Sequence, residues 1–175
     1  KEIYDAMQLG IEAFNCESLQ EIFVINEMAH LHGLKANVSV RINPDIDAHT
    51  HKYVTTGLYE NKFGISNHEF DKLIEFIQKS EHINFFGLHF HIGSQITRVE
   101  EVFSLECKRV NEIVKYFESK GLTVNNINLG GGLGVDYDDP DGSPIADFGT
   151  WFRTISENIV RRPDQKVHVE PGRSL

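Results

Sequence analysis

The 175-residue sequence has only two cysteines, Cys16 and Cys107. They allow one bridge at most and neither belongs to a C-x-x-C pair. A disulfide framework is therefore excluded, and both read as reduced thiols of a cytosolic, cytoplasmic protein, with Cys107 in a helix core. No apolar run approaches the roughly 18 residues that a membrane span needs. The N-terminus, Lys-Glu-Ile-Tyr-Asp, carries neither an apolar leader nor an initiator Met. The chain is expected to begin late, through processing or as a piece of a longer protein. Basic runs are missing too: 17 Lys+Arg against 26 Asp+Glu leave a net charge of −9. That balance argues against nucleic acid and anionic membranes as partners, yet one or two arginines suffice for a small phosphate.

What is present is ordinary globular text, 40% hydrophobic and 25% charged, which argues against disorder. A chain of this length buries roughly 70% of its unfolded surface and needs no staple. Strand-like and helix-like segments alternate. Ile11–Phe14 reads as a short strand. Ser18-Leu-Gln-Glu21 is a capping box opening a helix that stops at Gly33. Asn37–Ile42 alternates with Val38, Val40 and Ile42 on one face and Asn37, Ser39 and Arg41 on the other. After a long connection from Asn43 to Ile65, Ser66-Asn-His-Glu69 is a second capping box. Phe70, Leu73, Ile74 and Ile77 form an amphipathic stripe behind it.

Ile83–Ile92 is the next strand, with Phe86, Leu88 and Phe90 on one face and Phe85, Gly87, His89 and His91 on the other. Thr97-Arg-Val-Glu100 is a third capping box, opening a helix to Lys120. Thr123–Leu129 runs into Gly130-Gly131-Gly132-Leu133-Gly134. A polar loop, a helix marked by Trp151, Ile155 and Ile159, and a strand Lys166–Glu170 complete the chain. Five strands separated by four helices imply a parallel sheet with right-handed crossovers.

Each strand ends in polar or glycine-rich text, and in a parallel α/β sheet all those ends lie on one side. One face thus collects Arg41, His89, His91, Ser94, the glycine run, Glu170 and Arg173, as at the mouth of a βα-barrel or the switch point of a doubly wound sheet. Gly130-Gly131-Gly132 is not G-x-G-x-x-G, and no helix follows it at once. The open readings are a tight turn and a phosphate cradle of backbone N–H groups. His89 and His91, at i and i+2, suit a structural pair, a stack on a flat ligand, or zinc with His168 or Glu170. Arg41 suits an ion pair with a neighbouring acid. Asp136, Asp138, Asp139 and Asp141 lack EF-hand spacing and read as a solvated loop.

These motifs carry a resemblance. His91-Ile-Gly-Ser94, Gly130-Gly131-Gly132 and Glu170-Pro171-Gly172-Arg173, in that order, resemble the pyridoxal-phosphate decarboxylases of the alanine-racemase fold. Arg41-Ile-Asn-Pro-Asp, Glu60-Asn-Lys-Phe-Gly64, His89-Phe-His-Ile-Gly-Ser-Gln95 and Gly132-Leu-Gly-Val-Asp-Tyr137 are similar to the diaminopimelate decarboxylase branch of that family. The resemblance implies an α/β fold, the C-terminal five-strand part of a (β/α)8 TIM barrel of the alanine-racemase type. Residues 1–175 would then be a partial domain binding pyridoxal 5'-phosphate. His91 would stack on the cofactor ring; Ser94, Gly130, Gly131, Gly132, Pro171, Gly172 and Arg173 would surround its phosphate; Glu170 would keep the ring nitrogen protonated. Arg173 would also meet the substrate carboxylate. Arg41 and Lys62 would support the site from outside it, with Lys62 near a homodimer interface.

The family's Schiff-base lysine is expected upstream, because no lysine here follows a strand in the required way. The family's C-terminal β-domain is also absent, so this span alone is expected to be inactive. The implied reaction of the parent protein is decarboxylation of meso-2,6-diaminopimelate to L-lysine. Three alternatives stay open: decarboxylation of arginine, ornithine or carboxynorspermidine; a non-catalytic relative; and a zinc hydrolase using His89, His91 and His168.

Overall fold

The computed structural model describes residues 1–45, 63–139 and 147–175. Its elements run α1 (Glu2–Gln8), β1 (Phe14–Cys16), α2 (Leu19–Leu31), β2 (Ala36–Arg41), a 3-10 turn (Asn67–Glu69), α3 (Phe70–Lys79), β3 (Ile83–His89), α4 (Val99–Ser119), β4 (Asn126–Asn128), α5 (Phe148–Asn158), β5 (Lys166–His168) and a last 3-10 turn (Gly172–Ser174). The five strands are all parallel and lie in the order β1-β2-β3-β4-β5. Each crossover therefore steps the same way, and crossovers of one hand then lay every helix on one face. A doubly wound sheet reverses its order instead. The sequential order chooses the barrel-wall alternative, with β1 and β5 at the edges.

The strands are shorter than the alternation predicts. β1 begins at Phe14 rather than Ile11, β3 stops at His89, and β4 and β5 have three residues each. Phe90, Ile92 and Leu129 are buried just past these strand ends, and Phe90 and Leu129 still donate to Asn128 O and His168 O of the neighbouring strands. The caps also divide. Ser18 Oγ accepts from Glu21 N–H at 3.2 Å, while the Glu21 carboxylate accepts from Glu17 N–H at 2.7 Å. Ser66 makes no side-chain cap; a 3-10 turn takes up the first helical residues instead. Thr97 does not cap α4 either, since that helix starts at Val99 behind Arg98. A cap absent from the expectations is Asp147, whose Oδ1 accepts from Thr150 N–H at 2.9 Å to start α5.

The helix-facing side of the sheet is apolar: Cys16, Val38, Val40, Leu88 and Ile127 are fully buried against Ile22, Leu73, Phe103, Val110, Phe117 and Trp151. Phe85 joins this side, contrary to the simple alternation. Val38 pairs with Phe85 but Ser39 pairs with Gly87, so Phe86 is an extra residue that reverses the parity of β3. Phe85 accordingly stacks near Phe117, with ring centroids 6.3 Å apart. Gly87 is required where it stands, since a Cβ there would lie 2.1 Å from Asn126 O. The opposite face is polar and carries Asn15, Ser39, Arg41, His89, Asn126, Asn128 and His168 in register across all five strands.

Candidate functional site at the carboxyl ends of the strands

The glycine run is where three strand ends meet at backbone contact. A Cβ on Gly130 would lie 2.4 Å from Phe90 O, one on Gly131 1.8 Å from Glu170 O, and one on Gly132 2.1 Å from Gly93 O. Gly130 and Gly132 also have φ of +68° and +100°. No side chain fits, so the run serves as more than a loose turn. Glu170 N–H donates to Gly130 O at 2.6 Å, and Ile96 N–H donates to Gly132 O at 2.8 Å, tying β4's end to both neighbours. Two of the three glycine amides are occupied. Gly130 N–H donates to Asn128 Oδ1 at 2.9 Å, and Gly131 N–H donates to His91 Nδ1 at 3.3 Å. The Nδ1 of His91 is therefore the acceptor nitrogen, which leaves its proton on Nε2.

Beside this run stands Glu170. Its Oε1 accepts from Asn128 Nδ2 at 2.9 Å, and its Oε2 lies 3.5 Å from His89 Nε2. About half of its side chain is exposed. Burial pushes the His89 pKa down from its usual value, against the pull of Glu170, and the imidazole is neutral at pH 7. Arg41 does not reach this pair with a hydrogen bond. It forms an ion pair with Glu17, and its guanidinium sits 5.3 Å from the Phe63 ring centroid. The other Glu17 oxygen accepts from Gly64 N–H at 3.0 Å. The acid that balances Arg41 is thus the residue following β1.

Ser94 is exposed on the β3-end loop, one residue past Gly93. Gln95 follows in a left-handed conformation (φ 59°) and grips Val135 with both ends of its amide, joining the loops after β3 and β4. Arg173 is exposed in the last turn, with its guanidinium 5.7 Å from the Tyr137 ring centroid. The structure therefore places His91, Ser94, the glycine run, Glu170 and Arg173 along one end of one sheet. Lys62 lies outside the described residues, as does Asp141. Asp136 Oδ1 accepts from Asp138 and Asp139 N–H, the arrangement of a solvated turn.

His168 bonds Asn126 Oδ1 at 3.1 Å. Among the described residues no three His, Cys, Asp or Glu side chains gather as metal ligands, so the zinc reading finds no constellation. Sequence reasoning passed over Asn128 and Glu17. Asn128 was legible as the polar alternate of Ile127 and Leu129 directly before the glycines. Glu17, 24 residues from Arg41, had no such signal.

A parallel βα wall with a glycine-rich turn beside a carboxylate and an arginine offers, at one set of strand ends, the kinds of groups that suit a phosphorylated planar ligand. The comparisons give that arrangement a family. A model of the pyridoxal-dependent decarboxylases, pyridoxal binding domain, matches residues 1–175. The chain belongs to that family, and its cofactor is pyridoxal 5'-phosphate. It is 45% identical over 174 residues to a diaminopimelate decarboxylase of Bacteroides thetaiotaomicron, covering 99% of this chain and 45% of that protein. It is 38% identical over 179 residues to one of Aquifex aeolicus, covering all of this chain and 41% of that protein. A crystal structure of a point mutant of Helicobacter pylori diaminopimelate decarboxylase complexed with L-lysine superposes with a TM-score of 0.81 at 36% identity, covering 99% of this chain and 43% of that one. The chain thus spans less than half the length of these relatives.

Proposed function

We propose that the protein carrying this chain is a carboxy-lyase that uses pyridoxal phosphate to convert meso-2,6-diaminopimelate into L-lysine and carbon dioxide. The observation that supports it most is the pairing of Glu170 with the glycine run: one strand end offers a carboxylate, and its neighbour offers a turn into which no Cβ fits. When bound, the cofactor supplies the electron sink for the pair left as carbon dioxide departs. The residues of this chain would hold it. The Gly132 amide has no partner among the described residues, and with Ser94 and Arg173 it would meet the phosphate. Pro171 and Gly172 would shape that pocket wall. His91, fixed through Nδ1 by Gly131, would lie against the ring face. Glu170 would hold a proton on the ring nitrogen. Arg173 would also meet a substrate carboxylate. Arg41 would support the site through Glu17, which also accepts from Gly64 N–H, and Lys62 would stand near a dimer interface.

The same reading makes residues 1–175 the last five strands of the barrel, with the lysine that anchors the cofactor and the β-domain supplied from elsewhere in the protein. Borohydride trapping and peptide mapping of the intact enzyme would then find the modified lysine outside this span. A cytoplasmic homodimer follows from the same reading; two buried free cysteines agree with a reducing setting. Among the described residues no helix is long and apolar enough to cross a membrane. The deciding experiment assays the intact protein against meso-diaminopimelate, arginine, ornithine and carboxynorspermidine. Carbon dioxide and L-lysine from diaminopimelate support the reading. Carbon dioxide from one of the others, and none from diaminopimelate, overturns it.

A further inference from the structure

His89 is the last residue of β3 and stands in register between Arg41 of β2 and Asn128 of β4. Only 8% of it is exposed. Neither ring nitrogen has a hydrogen-bond partner among the described residues. A buried donor without a partner is destabilising, so an apolar side chain would fill this place at less cost. The nearest group to its Nε2 is Glu170 Oε2, at 3.5 Å, and the other oxygen of that carboxylate is held by Asn128. That separation is about 0.5 Å beyond an ordinary N–H···O length.

We infer that His89 is a positioning residue, which turns its Nε2–H onto Oε2 of Glu170 and, together with Asn128, fixes the carboxylate that meets the cofactor's ring nitrogen. This rests on the proposed role of Glu170. The charge state of His89 matters to it. An imidazolium would pair with Glu170 and compete with the ring nitrogen for its charge; an uncharged imidazole orients the carboxylate and leaves that charge available. The groups facing His89 are Glu170 and Glu17, which favour protonation, and Arg41 and His91, which oppose it; burial acts with the latter two, outweighs the acids and keeps the ring uncharged at pH 7.

The test uses the intact protein, with His89→Gln, which keeps an N–H near the Nε2 position, and His89→Leu, which removes it. The readouts are pyridoxal phosphate affinity and the 15N resonance of the bound ring nitrogen. His89→Leu is expected to lose about tenfold in affinity, the value of one hydrogen bond to a charged group, and to shift the resonance toward the unprotonated form. His89→Gln is expected to keep both. A His89→Leu protein matching the wild type in both readouts overturns the inference. Should His89→Leu fail to fold, the wild-type His89 side-chain 15N shifts decide: an uncharged ring from pH 6 to 8 supports the inference, and a protonated ring at pH 7 overturns it. A wild-type protein that binds no pyridoxal phosphate instead removes the functional reading underneath.

Discussion

Gly131 faces the carbonyl of Glu170 so closely that a Cβ on the glycine would lie 1.8 Å from that oxygen. The contact joins β4's end to the strand end carrying the carboxylate, so the packing requirement and the site share one pair of residues.

Gly131→Ala should therefore cost about 3 kcal/mol or prevent folding, because both sides of the contact are backbone and cannot move aside cheaply. Gly10→Ala is the control. Gly10 has φ +68° with nothing within 4 Å of the added Cβ, so only backbone strain applies, about 1–2 kcal/mol. Urea titrations of the two variants check the ranking; equal costs would mean that the strand ends relax apart.

Ser18→Ala should lose about 1 kcal/mol, since the Ser18 hydroxyl accepts from Glu21 N–H at the start of α2. Ser66→Ala should change stability by a few tenths at most, because that hydroxyl caps nothing. The two serines sit in the same sequence pattern, S-x-x-E, so denaturation midpoints separate pattern from geometry.

Glu106 on α4 is wholly buried, and neither carboxylate oxygen has a partner among the described residues. Burial raises its pKa well above the usual carboxylate range. The folded state then holds a proton that the unfolded state releases above about pH 4.5. Its stabilising share is complete below that pH and is lost as pH rises toward the folded pKa. Glu106→Gln should therefore raise stability at pH 7 by about 1–3 kcal/mol and raise it less at pH 5. Thermal melts at the two pH values check the sign; a larger gain at pH 5 would contradict it.

Asn128→Asp should disturb the site more than Asn128→Ala. The aspartate would set a second carboxylate against Glu170 Oε1, at the position now filled by a donor 2.9 Å away, and the two acids would share a proton. Glu170 would then be partly discharged near neutral pH. Pyridoxal phosphate affinity of the intact protein should fall about tenfold for Asn128→Asp and by a smaller factor for Asn128→Ala, as equilibrium titration would show.

How much of this was legible in the sequence depends on the length scale. The α3 stripe of Phe70, Leu73, Ile74 and Ile77 was visible at once, because amphipathic period is local; all four are buried. The end of the sheet that would carry polar residues was also legible, since parallel topology sends every strand end one way. The bulge at Phe86 was not. It depends on pairing with β2, 47 residues away, and it alone moves Phe85 to the helix side. The Arg41–Glu17 pair and the His89–Glu170 approach are likewise products of register between strands, which no single segment encodes. The close backbone packing at Gly130–Gly132 emerged only in the distances to Phe90, Gly93 and Glu170.

The central claim is that Glu170 meets the ring nitrogen of pyridoxal phosphate at this strand end. It is tested most directly by the 15N resonance of the ring nitrogen in cofactor bound to the intact wild-type protein and to Glu170→Gln. The account predicts a protonated nitrogen in the wild type and an unprotonated one in Glu170→Gln. The same protonated resonance in both proteins would contradict it.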